Sequence, residues 1–440
     1  MLMNRLLNKP LHQSSLLLAG ELSASAKDEN LEQVGPRFRS THITGTIGAT
    51  TYDKNANEYE KQLLARQHED KQQMKTNTLV SLVVYFVVTC VPYALCTEPQ
   101  NNARPNLTAE TNDGDLFRKE DVVFKSTGIA LNGTLTYPLP GNRSKYPAIV
   151  LIHGTGSTDR DGTIPMMKLT IEEGDIRPEG MPSKEWAMKP YKEMAEGLST
   201  NGYAVLRFDK RGWAEGGNDQ VDMTLDLLCE DVVSALSYLK TRADIDHQSM
   251  FVLGHSEGGI VAQKLAADLQ WLRGIILYCA PITPLHELTH DQTAYTLRLT
   301  GATESDIDKA LYKNKQVYEK IRKGKYPEQT FNGSPTLHWR SLILHDPMAT
   351  LRKCSLTTGV LILSGAKDWQ IPPREAIRIH NELLKLNHEN VDLHVFSMLD
   401  HFLLEEKGVS RVENYFVKRR NIPPYVLQTI SQWLERACNP

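Results

Sequence analysis

From about residue 120 to its end, the chain alternates between short apolar runs and segments with helical spacing. An uninterrupted apolar run, typical of a strand buried on both faces of a sheet, occupies 148–154, and further strands are predicted at 204–209, 250–256, 274–280, 359–365 and 391–397. Helical patterns lie between several of them, at 190–201, 222–242, 257–269, 374–386 and 425–437. Two further strands, joined by a turn that contains glycine, are predicted at 121–138. Alternating strands and helices predict an α/β fold with a mostly parallel central sheet flanked by helices.

Two stretches interrupt this alternation. Residues 155–189 are charged and rich in glycine and proline, which predicts a long loop after the strand 148–154. Residues 281–350 predict a mainly helical insertion after the strand 274–280. Because ligands bind at the carboxyl ends of parallel strands, an insertion of this size at that edge is expected to act as a lid.

The sequence before residue 120 differs in character. Residues 1–78 are polar and show no sustained period of 2 or 3.6, which predicts a disordered N-terminal extension. Residues 97–119 are expected to form a polar linker. The folded domain is therefore expected to span 120–440.

An apolar segment without charge lies between these two regions, at 79–96. A lysine precedes it at Lys75 and small residues end it at Ala94 and Cys96, as in a secretory signal peptide. A start of translation at Met74 favours this interpretation. The long polar extension before it instead favours a signal anchor, with the basic side retained in the cytoplasm.

Both interpretations of this segment place the catalytic domain outside the cytoplasm, either secreted, periplasmic or anchored. Contact with a membrane is expected only through residues 79–95, and only if the segment is not cleaved. The remaining alternative is that the segment packs inside the protein as a core element, in which case the chain is cytoplasmic.

Composition narrows the class of protein. The chain has 440 residues, 40% of them apolar, so it has material for a large core. Its formal net charge of −3 gives no basic excess, and we expect no nucleic-acid partner. None of its six cysteines forms a CxxC pair, which argues against structural zinc and thioredoxin-type chemistry. We favour buried free thiols over disulfides.

The segment Gly254-His255-Ser256-Glu257-Gly258 fits G-x-S-x-G, with a predicted strand before it and a predicted helix after it. This context is what a nucleophile elbow requires. The turn is so sharp that only glycine is expected to fit beside the serine at 254 and 258. Ser256 is therefore the candidate nucleophile, held in a strained conformation at the tip of the turn.

A serine nucleophile needs a base, and the base needs an acid that orients it. Enzymes with such an elbow place the acid and then the histidine after the serine in sequence. Asp368 and His401 follow the predicted strands 359–365 and 391–397, in the required order. Asp400 is a rival acid, but as the neighbour of His401 it is poorly placed to hold the imidazole from behind. Asp392 is a weaker rival, because it lies inside a strand.

The negative charge that develops on the substrate oxygen needs preorganised N–H donors. One is expected to be the backbone N–H of Glu257, directly after the nucleophile. The other is expected to be the backbone N–H of Thr155, in the loop after the strand 148–154. The alternative is that this loop is an ordinary β-turn.

Four motifs stand in order along the chain from about 120 to 440: "HGTGSTDRDG", "FDKRGWAEGG", "GHSEGG" and "GAKDWQIP". Through them the chain resembles the serine α/β-hydrolases, within the branch that contains dienelactone hydrolases and serine aminopeptidases. The likeness is greatest to bacterial esterases that carry HGSG…DRDG after the third strand, although Thr155 stands where they usually have serine. The resemblance implies an α/β-hydrolase fold, a triad of Ser256, Asp368 and His401, and no cofactor or metal.

One motif points to different chemistry. His286-Glu287-Leu288-Thr289-His290 matches H-E-x-x-H, which on a helix binds zinc with the glutamate as base. It lies inside the predicted insertion, and the only candidate third ligand nearby is Glu304. A zinc metallopeptidase that uses these residues is therefore kept as an alternative.

The sequence thus predicts a serine hydrolase that cleaves small-molecule carboxylic esters, with a short acyl chain, through an acyl-enzyme. The short acyl chain follows from the resemblance and from the mostly apolar insertion. An acyl-CoA thioesterase and a serine aminopeptidase are alternatives that use the same triad. An alternative from a different class is a hydrolase-like binding module without catalysis.

Overall fold

The computed structural model describes residues 116–140, 144–156, 158–172, 175–212, 222–417 and 420–439. The expected N-terminal extension, the apolar segment 79–96 and most of the expected linker lie outside these ranges. Within the described ranges, no helix is both long and apolar enough to cross a membrane. Cys229, Cys279 and Cys354 are buried free thiols, as expected for these three residues.

The elements follow each other largely as the alternation of apolar runs predicts. The strands are β1 (Phe117–Ser126), β2 (Ile129–Pro138), β3 (Tyr146–Ile152), β4 (Ile164–Glu172), β5 (Asp175–Met188), β6 (Ala204–Phe208), β7 (Ile245–His255), β8 (Gly274–Tyr278), β9 (Thr330–Phe331), β10 (Ser334–Pro335), β11 (Gly359–Gly365) and β12 (Val391–Phe396). The helices are α1 (Pro190–Thr200), α2 (Leu225–Lys240), α3 (Glu257–Asp268), α4 (Leu285–Leu299), α5 (Glu304–Arg322), α6 (Thr336–Leu344), α7 (Pro347–Leu351), α8 (Pro373–Lys385), α9 (Asn414–Val417) and α10 (Pro424–Cys438). The first strand begins at Phe117, before the boundary expected at residue 120.

Eight strands form the central sheet in the order β1-β2-β6-β3-β7-β8-β11-β12. β2 pairs antiparallel with β1 on one side and with β6 on the other. Every neighbouring pair from β6 to β12 in the sheet order is parallel. The fold is therefore that of the α/β-hydrolases, as predicted. Parallel pairing brings the carboxyl ends of β3, β6, β7, β8, β11 and β12 to one edge of the sheet.

β3, β8 and the second half of β7 are almost entirely apolar because both faces of the sheet are covered. Along β7, Met250 and Val252 pack in the core on one face, where α2, α3 and α8 lie. Phe251 and Leu253 point to the opposite face, which α1 and α10 cover. Successive side chains of a strand point to opposite faces, so a strand covered on both faces needs an apolar residue at every position.

The two stretches that interrupt the alternation differ from each other. Residues 281–350, the insertion, hold the helices α4 to α7 and the short β9–β10 hairpin, in agreement with a mainly helical segment. Residues 155–189 are not a loop throughout, because β4 and β5 pair antiparallel as a separate two-stranded sheet. The sequence of β5 contains prolines, a glycine and several charged residues, which are typical of a loop and conceal this strand.

Candidate active site

The candidate nucleophile Ser256 stands alone between a strand and a helix. β7 ends at His255 and α3 begins at Glu257, so the chain reverses at a single residue. Ser256 has φ 54° and ψ −119°, a conformation in which residues with a side chain are strained. Its N–H donates to the carbonyl of Tyr278 on β8 at 2.9 Å, and its carbonyl accepts the N–H of Gly259 at 2.9 Å. These bonds hold the serine in the geometry of a nucleophile elbow.

The glycines around Ser256 are required by close approach of the backbone. A Cβ atom at Gly258 would lie 2.5 Å from the carbonyl oxygens of Ile152 and His153, next to the end of β3. A Cβ atom at Gly254 would collide with the backbone of Gly258. Real Cβ atoms do not come so close to backbone atoms, so neither position accepts a side chain without displacement of the elbow.

The candidate acid and base are in direct contact. Nδ1 of His401 donates to Oδ2 of Asp368 at 2.8 Å. The other carboxylate oxygen of Asp368 accepts the backbone N–H groups of Gln370 and Ile371 at 2.9 and 2.8 Å. Both side chains are buried. The carboxylate thereby fixes the tautomer with the proton on Nδ1, so that the lone pair on Nε2 is the one that accepts a proton.

The three candidate residues lie at the same edge of the sheet. Ser256, Asp368 and His401 follow β7, β11 and β12, which are parallel members of the central sheet. The rings of His401 and His255, the residue before the serine, have their centroids 4.7 Å apart. The folded chain therefore brings the loop that carries His401, which we call the base loop, against the elbow.

A chain of hydrogen bonds connects the loop after β3 to the base loop. The N–H of Gly154 donates to the hydroxyl of Tyr191 at 3.0 Å, and that hydroxyl donates to Nδ1 of His255 at 2.8 Å. Nε2 of His255 donates to the backbone carbonyl of His401 at 3.0 Å. Burial lowers the pKa of His255 well below its usual range, so the ring is neutral. We call Tyr191 and His255 the neutral network.

The two expected oxyanion donors belong to residues near Ser256. Thr155 is exposed and follows Gly154, where a Cβ atom would lie 3.3 Å from the Cβ atom of Ser256. Glu257 is the first residue of α3, and the N–H groups of a first helical turn have no partner within the helix. The positive end of the helix dipole also lies at this N–H group. Both groups are thus of the kind that binds a developing oxyanion.

A second set of buried contacts surrounds the side chain of Glu257. Nζ of Lys210 donates to Oε1 of Glu257 at 2.9 Å and to the carbonyl of Gly154 at 2.7 Å. Nε2 of His338, on α6 of the insertion, donates to Oε2 at 2.9 Å. Burial alone would raise the pKa of Glu257, but Lys210 and His338 lower it well below its usual range. We call Lys210, Glu257 and His338 the ionic network.

The rival acids have other partners. Asp400 accepts the backbone N–H groups of Phe402 and Leu404 at 2.9 and 3.1 Å and forms an ion pair with Arg420 at 2.6 Å. Burial, which outweighs the charge of Arg420, raises the pKa of Asp400. Asp392 lies within β12 and pairs with Arg436 at 2.5 Å on the surface. Asp400 therefore shapes the base loop, and Asp368 is the carboxylate on the imidazole.

The H-E-x-x-H motif lies in the first turns of α4, where its histidines pack on an aromatic residue. The rings of His286 and His290 each have their centroid 5.9 Å from that of Tyr318. Together with Glu287 they do not form a group whose ligand atoms all lie within 4.8 Å of one another. Glu304 pairs with Arg298 at 2.9 Å. The described geometry gives no support to the zinc alternative.

Among the described residues, one group of three side chains has the spacing of a metal site. Ligand atoms of Cys279, Asp368 and His401 lie within 4.8 Å of one another. Burial raises the pKa of the Cys279 thiol well above its usual range, which disfavours the thiolate that binds metals. Since Asp368 and His401 are already joined by a hydrogen bond, the arrangement fits acid–base chemistry better than metal binding.

Four residues of the site were not predicted from the sequence: Tyr191, Lys210, His255 and His338. The sequence could have indicated Lys210 as a site residue, because it follows the buried strand β6 at the carboxyl edge of the sheet. The same holds for His255, since it lies inside the G-x-S-x-G motif. Tyr191 and His338 lie on helices and carry no local signal of their contacts with the elbow.

A parallel sheet with a strand–serine–helix elbow at its carboxyl edge defines the class of protein, which is that of the α/β-hydrolase serine hydrolases. The family model of serine aminopeptidases, S33, matches residues 185–408, about half of the chain, and the chain belongs to this family. The resemblance that the sequence motifs indicate is thereby confirmed, and the protein is an enzyme.

Esterases are prominent among its relatives. Esterase EstD of Thermotoga maritima is 28% identical over 324 residues, which cover 73% of this chain and 68% of EstD. The structure of an esterase from Pyrococcus furiosus is similar with a TM-score of 0.44 and 16% identity, over 76% of this chain and 96% of that one. Est1E from Butyrivibrio proteoclasticus gives a TM-score of 0.44 and 16% identity, over 73% and 99%.

Proposed function

We propose that the protein hydrolyses small-molecule carboxylic esters with a triad of Ser256, His401 and Asp368. The observation that carries this proposal is the 2.8 Å bond between Nδ1 of His401 and Asp368, at the edge where Ser256 occupies a strained elbow. In this mechanism Oγ of Ser256 attacks the ester carbonyl carbon while Nε2 of His401 takes the hydroxyl proton. Asp368 keeps the imidazole oriented and stabilises its positive charge.

The reaction then proceeds through an acyl-enzyme. The tetrahedral intermediate collapses, the bond from carbonyl carbon to alcohol oxygen breaks, and His401 returns its proton to the leaving alcohol. Water attacks the acyl-enzyme in the second half, with His401 again taking a proton, and Ser256 is released together with the carboxylic acid. The backbone N–H groups of Thr155 and Glu257 stabilise the oxyanion in both halves.

The choice of an ester over a thioester or a peptide rests on two observations. The relative that aligns over most of the chain is named an esterase. The insertion brings α4 against the loop that carries Asp368, where Tyr295 stacks on Trp369 with ring centroids 5.4 Å apart. An aromatic wall beside the triad acid suits a compact apolar acyl group better than a charged peptide terminus. In this proposal the insertion is the lid.

The nucleophile is tested by covalent labelling. A fluorophosphonate probe should label Ser256, and Ser256→Ala should abolish labelling and lower kcat on p-nitrophenyl acetate by about 10⁴-fold or more. Ser237→Ala, in an exposed α2 position, is a matched control that should keep both. Labelling of a different serine, with activity intact in Ser256→Ala, would overturn the mechanism.

We also propose that the catalytic domain acts outside the cytoplasm. The support is the sequence of residues 79–95, which is apolar, uncharged and preceded by Lys75. N-terminal sequencing of the native protein should find a terminus near Thr97, and an uncut chain in the membrane fraction supports the anchored form. An uncut chain in the cytosol contradicts both forms.

A further inference from the structure

The peptide unit between Gly154 and Thr155 carries one of the two proposed oxyanion donors. Its N–H belongs to Thr155, and its carbonyl oxygen is the one that accepts the bond from Nζ of Lys210 at 2.7 Å. The N–H and C=O of a trans peptide point in opposite directions within one plane. The contact with Lys210 on the carbonyl side therefore fixes where the Thr155 N–H points.

The flanking residues leave this peptide able to rotate. A flip of this peptide turns ψ of Gly154 and φ of Thr155, and Gly154 has no side chain to restrict its ψ. A flipped peptide would direct a carbonyl oxygen, instead of an N–H, toward the developing oxyanion. A single misdirected group of this kind removes a donor and adds a repulsive dipole, so the loop needs an external contact that selects one orientation.

Lys210 is unusually well placed to make that selection. It is 3% exposed, and its ammonium also donates to Glu257, the residue that carries the second proposed donor. One side chain therefore bonds both to Glu257 and to the peptide unit that contains the Thr155 N–H. A buried ammonium is stable only with a charged partner, and the Glu257 carboxylate is that partner. His338 supplies the second bond to this carboxylate from the insertion.

We propose that Lys210 is a positioning residue of the oxyanion hole, which holds the Gly154–Thr155 peptide in its donor orientation, with Glu257 and His338 holding Lys210 in turn. This inference rests on the proposed esterase function. Lys210 does not touch the reacting atoms in this account. Its effect reaches them through the direction of one backbone N–H.

The direct test replaces the ammonium by an apolar chain of similar length. Lys210→Met should lower kcat on p-nitrophenyl acetate by about 10²-fold, because one oxyanion donor is lost, with KM within about threefold of wild type. The rate of inactivation by a fluorophosphonate should fall to a similar extent, since the phosphyl oxygen occupies the same hole. Wild-type values for both rates would overturn the proposal.

Removal of a buried lysine also destabilises the fold, so two further variants separate the effects. Arg211→Met breaks a neighbouring buried ion pair, between Arg211 and Asp231 at 2.6 Å, that does not contact the elbow or the β3 loop. It should lower the unfolding temperature comparably and leave kcat near wild type. An equal loss of kcat in Arg211→Met would show that destabilisation alone explains the result, and would overturn the proposal.

A double variant keeps the test valid if Lys210→Met does not fold. Lys210→Met with Glu257→Gln leaves no unpaired buried charge, so it should recover stability while kcat stays about 10²-fold low. A double variant with wild-type kcat overturns the positioning role. Because the backbone N–H of residue 257 remains, the loss reports on the Thr155 donor.

Two variants of His338 test the role of the insertion. His338→Leu removes the bond to Glu257 and should lower kcat by about tenfold, whereas His338→Gln keeps an N–H donor and should retain most activity. Equal activities of these two variants overturn this part of the proposal. Failure of the esterase proposal itself is distinguishable, because it appears as activity or labelling that persists in Ser256→Ala.

Discussion

Two buried networks hold the loop at Gly154 from opposite sides, and they are built from different chemistry. The neutral network binds the N–H of Gly154 through Tyr191 and continues to the backbone of His401. The ionic network binds the carbonyl of the same residue through Lys210. Neutral hydrogen bonds need no compensating charge when they are buried, whereas an ammonium in the interior needs its carboxylate.

The difference between the networks indicates a division of labour. The neutral network connects the loop to His401, so in the proposed mechanism a change in it affects proton transfer. The ionic network connects the loop to Glu257, so in the same mechanism a change in it affects stabilisation of the oxyanion. Their responses to substitution and to pH are therefore expected to differ.

The largest expected effect tests whether the neutral network can orient His401 without the carboxylate of Asp368. Asp368→Asn should lower kcat by about 10³–10⁴-fold, because the imidazole of His401 loses the carboxylate that fixes its tautomer. Steady-state kinetics on p-nitrophenyl acetate measures this change, and circular dichroism checks that the fold is retained. Asp400→Asn is the matched control and should lower kcat far less. The reverse ranking would mean that Asp400 is the acid of the triad.

The next effect isolates the neutral network. Tyr191→Phe removes a hydroxyl that bonds to Gly154 and His255, so it should lower kcat by about tenfold and the free energy of unfolding by about 1–3 kcal/mol. Urea unfolding and steady-state kinetics measure the two quantities. Tyr203→Phe, which removes a 3.0 Å bond to the carbonyl of Ser431 far from the elbow, is the control. It should reduce stability without reducing kcat, and a loss of kcat in both variants contradicts the assignment.

The buried histidines near the elbow and the carboxylate of the ionic network should also separate by pH. Burial, reinforced by the charge of Lys210, lowers the pKa of His153 to about 3, and burial likewise lowers that of His255. Below about pH 6.5 the unfolded chain binds protons at these residues and the folded chain does not, so stability decreases as the pH falls. Each of these histidines lowers the free energy of unfolding by about 1.4 kcal/mol for every pH unit by which the pH falls in this range. The lowered pKa of Glu257 adds a further loss only below its unfolded value of 4.5.

Urea unfolding at several pH values between 7.5 and 4 measures this dependence. Between pH 6.5 and 5, His153→Gln should reduce the slope of the free energy of unfolding against pH by the equivalent of about one bound proton. Glu257→Gln should leave the slope in this pH range unchanged. A free energy of unfolding that stays constant between pH 6.5 and 5 would contradict the neutral state of the buried histidines.

The smallest effect is expected for histidines outside both networks. His286→Ala with His290→Ala removes the H-E-x-x-H motif and should change kcat by less than about threefold, because neither ring touches the elbow or the base loop. Activity in the presence of a chelator should likewise be unchanged. A large loss in either measurement would revive the metallopeptidase alternative.

The sequence predicts the strands and the triad for the same physical reason. Buried strands carry apolar runs, and the candidate residues Ser256 and Asp368 follow two such runs, in β7 and β11. His401 follows the edge strand β12, which is partly exposed and carries Asp392 and His394, so its place in the order after Asp368 is the signal. The contacts of the networks are not predictable in this way. Tyr191 and His255 are 64 residues apart, and Glu257 and His338 are 81 apart, so only the folded chain brings them together. The β4–β5 hairpin is missed because the prolines, glycine and charged residues of β5 indicate a loop, although β4 does alternate between apolar and polar residues near its end.

The bond between His338 and Glu257 has a consequence for protein engineering. A chimera that exchanges residues 281–350 for the corresponding segment of another α/β-hydrolase would replace the proposed lid and at the same time delete one hydrogen-bond donor to a buried carboxylate. Specificity and turnover would then change together, for unrelated reasons. A designer who transplants this segment has to supply a new donor to Glu257 or neutralise it in the same step.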